Sequence, residues 1–168
     1  AGLGQPVIID NRGTGFLAAE AVYKTPPDGY TLTVQGSIFW TIPLLREVPY
    51  DVVRDFSPIA LISRQAALLA VHPSLPVKSV KDLIDLAKAR PGQMNYGSSG
   101  TGGAGHLAVE QFKALAGVNM VHVPYKGQAP TIAATVAGEV QLLVTDVGLL
   151  MPHVKSGRLR ALAVTSAE

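Results

Sequence analysis

Short apolar runs alternate with helical patterns along this chain, and glycine or proline marks nearly every change between them. The 17 glycines and 12 prolines act as punctuation through 168 residues instead of pooling in a linker. Val7-Ile8-Ile9, Tyr30 to Val34, Ile59 to Ile62 and Ala67 to Val71 read as strands in the first half. Pro26-Pro27-Asp28-Gly29 is a turn, and Phe16 to Lys24 is a helix. In the second half the strands are Met94 to Tyr96, Met120 to Val123, Val140 to Val144 and Leu159 to Val164. Helices fall between them. One starts at Ser79, whose hydroxyl is placed to cap it, with Asp82 three residues on and Val80, Leu83, Ile84 and Ala87 on one face. Others run from Ala104 to Ala116 with Gly117 behind it, from Pro130 to Gly138, and from Leu149 to Lys155. Strands separated by helices of about ten residues require βαβ crossovers and a mostly parallel sheet, so the fold class is α/β.

Composition removes several functions. Lys and Arg total 14 against 12 Asp and Glu, a balance of +2 with no basic stripe for nucleic acid. With 48% apolar residues, the chain has ample surface to bury and is not disordered. No apolar run approaches the ~18–20 residues that span a bilayer. Ala1 to Pro6 lacks the basic and apolar regions of a secretory leader. The absence of cysteine excludes a disulfide scaffold, a thiolate zinc site and a thiol nucleophile. His72, His106, His122 and His153 fit no zinc-binding spacing, and His106 reads as a structural residue or loop brace. No G-x-S-x-G elbow or carboxylate pair is found. These absences point to binding without chemistry, and to no cofactor.

The segment Gly97 to Gly105 holds the most information. A strand leads into Gly97-Ser98-Ser99-Gly100-Thr101-Gly102-Gly103, and a helix leaves it. The first N–H groups of a helix lack internal partners, and its macrodipole favours negative charge there. Glycines let such groups approach a ligand, while Ser98, Ser99 and Thr101 add hydroxyls. The loop therefore suits a phosphate, sulfate or carboxylate; the plainer reading is a βα turn with hydroxyl caps. Gly100 to Gly105 also matches G-x-G-x-x-G, which makes a nucleotide-binding oxidoreductase domain the alternative. That fingerprint wants an acid at the end of the next strand, where this chain has Tyr125-Lys126. Tyr125 and Lys126 either supply a hydroxyl and a counter-charge or form a solvated turn. Asp146, at the same sheet edge, either accepts from a ligand or caps the following helix. Ser37 joins the candidate ligand set. Ile38-Phe39-Trp40 beside it reads as core packing, or alternatively as an apolar ligand contact or a contact between lobes.

The chain resembles the TctC or Bug family, the periplasmic substrate-binding subunits of tripartite tricarboxylate transporters. The likeness is carried by Leu3 to Arg12, Pro27-Asp28-Gly29-Tyr30-Thr31-Leu32, Pro49-Tyr50-Asp51 with Asp55-Phe56-Ser57-Pro58, and Val71-His72-Pro73-Ser74. It continues through Asn95 to Gly100, Gly105-His106-Leu107-Ala108, Val121 to Gly127 and Pro152 to Thr165. The resemblance implies a two-lobed, type II periplasmic-binding-protein-like fold. Lobe one would be residues 1–71 and partial, lobe two 72–160, and 161–168 a strand returning to lobe one. It also implies that the Ser98 to Gly103 loop grips a ligand carboxylate, partly through water. The opposing Pro-Ala-Gly-Gly loop would precede Ala1, making the chain an internal fragment. The implied function is capture of a di- or tricarboxylate, amino acid or aromatic acid in the periplasm and its delivery to transporter membrane subunits. Nucleic acid and direct membrane insertion play no part in that reading.

Overall fold

Along β1 (Ala67–Val71) and β4 (Leu142–Asp146), alternate side chains enter two different cores. Leu69, Val71, Leu142 and Val144 belong to one cluster, with Tyr96, Met120, Leu83 and Val109. Leu68, Ala70 and Leu143 belong to another, with Ile132, Leu150 and Leu159. Successive strand residues point to opposite faces, so a sheet whose residues are all apolar must be covered on both sides. The computed structural model describes residues 4–12 and 15–166. It divides into two compact units, Ala1–Ser57 and Pro58–Glu168.

The second unit is an α/β/α layer structure. Its five strands are β1, β2 (Asn95–Ser98), β3 (Val121–Pro124), β4 and β5 (Arg160–Val164). They lie in the order β3-β2-β4-β1-β5. α3 (Val80–Ala89) and α4 (Ala104–Ala116) bury Leu83, Ala87 and Val109 on one face. α5 (Gln128–Ala137) and α6 (Val147–Lys155) bury Ile132 and Leu150 on the other. β2 pairs in parallel with both β3 and β4, whereas β1 is antiparallel to β4 and β5. The sheet is therefore mixed: β2 to β5 point one way and β1 alone is reversed. Because of that shared direction, the ends of β2, β3 and β4 form one edge, where ligands of open α/β sheets bind. Ser79 caps α3 by accepting from Asp82 N–H at 3.1 Å. The Asp82 carboxylate reaches past the cap to Lys78 N–H at 2.9 Å.

β1 and β5 are neighbours in one sheet: Leu68 lies opposite Val164 and Val71 opposite Arg160, a register that local sequence does not disclose.

The first unit contains α1 (Gly15–Tyr23) and α2 (Ile38–Leu45) and, among the described residues, no strand. Phe39, Ala19 and Tyr50 form its small core with Val48, Val52 and Phe56 at the margin. Phe56 meets Phe39 and Tyr50 edge-on, with ring centroids 5.0 and 5.5 Å apart. Three expected strands are corrected: Val7 to Ile9, Tyr30 to Val34, and Ile59 to Ile62, which lies in the second unit, are unpaired and largely exposed. The extended backbone they favour needs a neighbouring strand to accept its hydrogen bonds, and among the described residues none is adjacent. The helix over Ile38–Leu45 is missed by sequence reading because Pro43 sits inside it. Trp40 is 54% exposed and Phe39 takes the core place instead. Among the described residues no helix is long and apolar enough to cross a membrane.

Candidate functional site

The loop between β2 and α4 is folded on itself. Gly103 N–H donates to the Gly100 carbonyl at 3.3 Å, and Gly102 N–H donates to His106 Nδ1 at 3.2 Å. Gly102 has φ +83°, a conformation that a side chain would strain. Ser98 is buried at 2% exposure. Its Oγ accepts from Gly100 N–H at 3.2 Å, lies 3.1 Å from the Gly100 carbonyl, and meets His122 Nε2 at 2.6 Å. Of the expected anion donors, Ser98 and the Gly100, Gly102 and Gly103 amides thus face inward. Among the described residues, no hydrogen bond occupies the N–H groups of Thr101, Ala104 and Gly105. Ser99 and Thr101 are exposed. These N–H donors lie in the first turn of α4 and just before it, where the helix dipole is positive.

Gly105 sets the position of that turn. A Cβ placed there would penetrate the Val144 carbonyl oxygen of β4. Only glycine lets the helix start so close to the sheet.

Beneath the loop lies a polar layer that sequence reading does not assemble. His122 of β3 stacks on Tyr96 of β2 with centroids 4.9 Å apart, and His106 of α4 lies 4.1 Å from His122. The Tyr96 hydroxyl donates to Glu110 Oε1 at 2.5 Å, and Lys113 Nζ reaches the same oxygen at 2.6 Å. The spacing 106, 110, 113 on one helix face, and 96, 98 on one strand face, is the signal that could have found it. The brace role read for His106 agrees with its bond to Gly102.

Burial pushes His122 down to about 4, helped by the neighbouring His106. Burial also lowers His106, with Glu110 opposing. Burial raises Glu110, but hydrogen bonds from Lys113 and Tyr96 outweigh it and hold the carboxyl below its ordinary value. Both rings are neutral at neutral pH. Since Nδ1 of His106 accepts, its proton resides on Nε2.

These shifts make stability pH-dependent. Unfolded His122 takes up its proton near 6.5, but the folded ring refuses it until about 4. Stability is therefore complete above 6.5 and is lost as pH falls towards about 4. Discounted for solvent around this half-buried ring, the loss is about 1–2 kcal/mol. Urea unfolding at neutral and acid pH checks it. His122→Gln, which retains a partner for Ser98, is expected to flatten the dependence; an unchanged slope would exclude His122 as its source.

The other candidates stand as follows. Tyr125 N–H donates to the Ser98 carbonyl at 2.9 Å, bringing the Tyr125-Lys126 turn to the same edge as the loop. Burial raises the Tyr125 phenol. Lys126 is exposed. Asp146 precedes α6 without a side-chain cap bond, which corrects the capping reading. Its carboxylate accepts instead from Gln128 Nε2 at 3.1 Å, and from the Gln65 amide at 3.1 and 3.3 Å when that amide turns its nitrogen inward. Ser37 lies in the first unit, directly before α2.

The mixed sheet, covered on both faces and carrying a glycine loop at the ends of its parallel strands, is a unit of the periplasmic-binding-protein kind. The chain belongs to the tripartite tricarboxylate transporter receptor family, TctC, whose sequence profile matches residues 1–168. It is 32% identical to BugT of Bordetella pertussis over 99% of this chain and 52% of that protein. Among solved structures it is similar to R. palustris Rpa4515 with adipate, at 42% identity and a TM-score of 0.91, over 99% of this chain and 57% of that one. MatC from Rhodopseudomonas palustris, solved with bound malate, matches at 27% identity and a TM-score of 0.87, over 99% and 58%. The chain spans about half the length of the curated relatives it matches. The nucleotide-binding oxidoreductase alternative finds no support in these matches, and three amides of its G-x-G-x-x-G loop are turned inward.

Proposed function

We propose that this chain forms the anion-gripping part of a periplasmic solute-binding protein that captures a small organic carboxylate and presents it to the membrane subunits of a tripartite tricarboxylate-type transporter. The observation that carries this reading is the set of N–H groups at Thr101, Ala104 and Gly105 that no hydrogen bond occupies among the described residues, beside the exposed Ser99 and Thr101 hydroxyls. Such donors favour a planar anion and offer nothing to a neutral ligand's apolar body. Ser98 and Gly100 to Gly103 shape the loop. Tyr125 and Lys126 rim it, and Asp146 accepts from ligand hydroxyl or ammonium groups. The protein does no chemistry on its ligand and needs no cofactor. The neighbours solved with adipate and malate support a dicarboxylate.

Ala104→Pro tests the grip directly. Ala104 is the first residue of α4, after an extended Gly103 with φ −71° and ψ 162°. Proline is tolerated at that helix position and after that backbone, yet it deletes the N–H. Calorimetry of the full chain with adipate and malate is expected to show a loss of roughly tenfold or more, at unchanged thermal stability. NAD(P) is expected to give no heat. Unaltered carboxylate affinity in a folded Ala104→Pro protein would remove this helix turn from the site.

A further inference from the structure

Tests of the ligand loop ordinarily look at the groups facing the ligand; here the group behind it is as informative. Gly102 N–H, inside the loop, donates to the imidazole Nδ1 of His106, four residues on in the first turn of α4. We propose that His106 is a positioning residue for the anion loop, holding it in binding shape through this nitrogen and releasing it when the nitrogen is protonated. The inference rests on the carboxylate-binding reading above and assigns that site a pH-dependent release.

A proton on Nδ1 would set two N–H groups against each other across 3.2 Å, so either the ring or the Gly102 segment must move. The ring is held where it is. On one side it lies against His122, with centroids 4.1 Å apart and planes tilted by 32°, and its plane lies within 18° of Tyr96. In this proposal the loop is the partner that moves; it is closed by the Gly103 to Gly100 turn and the Ser98 hydroxyl and tied at its ends by the Leu107 and Tyr125 N–H groups.

The titratable and charged groups facing His106 are Glu110 and Lys113 from its own helix, Tyr96 from β2 and His122 from β3. Glu110 favours protonation, but Lys113 shares that carboxylate and opposes it. His122 does not compete for the proton, since burial and His106 together keep it neutral to lower pH. A new charge at His106 also attracts the ligand carboxylate. That attraction is unoriented, while the amides it frees supplied the orientation, so release prevails.

The test compares wild type with His106→Asn and His106→Leu in the full chain. Asparagine presents an oxygen where Nδ1 sits and does not titrate. In ligand-free wild type, the Gly102 amide resonance is expected to shift and its exchange to quicken in step with His106 ring protonation. In His106→Asn it is expected not to titrate. Adipate serves as the binding probe, and comparing proteins at the same pH cancels its own protonation. At about pH 7.5 the Asn variant is expected to match wild type, while the Leu variant binds roughly five- to tenfold more weakly. At a pH low enough to protonate the wild-type His106 ring, as its own titration shows, the Asn variant is expected to exceed wild type by a similar factor. An Asn variant as weak as Leu, a Gly102 amide indifferent to ring protonation, or wild type gaining on Asn as pH falls would each overturn the proposal. Should wild type bind neither adipate nor malate at neutral pH, the carboxylate reading fails, and the Gly102 titration still decides the brace.

Discussion

Gly105→Ala is expected to destabilise the second unit by about 3 kcal/mol and lower its melting temperature by roughly 10–20 °C. The reason is steric. The added methyl would fall on the Val144 carbonyl oxygen, and that carbonyl belongs to β4, which pairs with β1 on one side and β2 on the other. The strand has no freedom to withdraw, so α4 must move outward and take the Thr101, Ala104 and Gly105 amides with it. Carboxylate affinity should fall with stability. Gly148→Ala supplies the control. Gly148 is also the second residue of a helix that follows a strand, but a Cβ there meets nothing within 4 Å. Alanine at that place should be neutral or stabilising by roughly 0.5–1 kcal/mol, the helix-propensity difference. Thermal unfolding of the two variants side by side separates the effects. Equal melting temperatures would show that α4 does not rest on β4 as described.

The second large effect is expected in hydrogen exchange. Amides of β1 and β4, central in the five-stranded sheet, should exchange at least about a thousandfold more slowly than those of residues 5–10, 31–36 and 59–64. Those three segments contain apolar runs: Ile8 is 90% exposed, Tyr30, at the edge of the second, 93% and Ile59 77%. Their backbones belong to no strand. Exposed apolar residues with unpaired backbone have nothing to protect them, whatever their propensity. Protection of residues 31–36 comparable with that of β4 would contradict this and reveal a pairing not described above.

That contrast also shows how far the sequence could be read. Ser79, Leu83, Ala87 and Gly117 announced α3 and the end of α4 because caps and periodicity act within one or two helical turns. The glycine loop was equally legible, since its strand–loop–helix order is local. What local order does not disclose is that Ser98 meets His122, 24 residues away. Nor does it show that Asp146, placed to cap a helix, is held instead by Gln128 and Gln65.

From the amino-acid order alone came the α/β class, most helices, the strands β1 to β5 and the glycine loop before α4, and the resemblance to the family came from stretches spread over the chain. The elements depend on spacing within about ten residues, where steric and hydrogen-bond preferences act directly. Only the tertiary structure decided that β1 runs against its neighbours, that Val7 to Ile9 and Tyr30 to Val34 form no strand, and which loop amides find a hydrogen-bond partner. It also assembled Tyr96, Ser98, His106, Glu110, Lys113 and His122 into one layer. These outcomes turn on partners distant in sequence. A strand exists only when another backbone accepts its hydrogen bonds, and a buried hydroxyl or imidazole takes whatever partner the packed elements bring within about 3 Å.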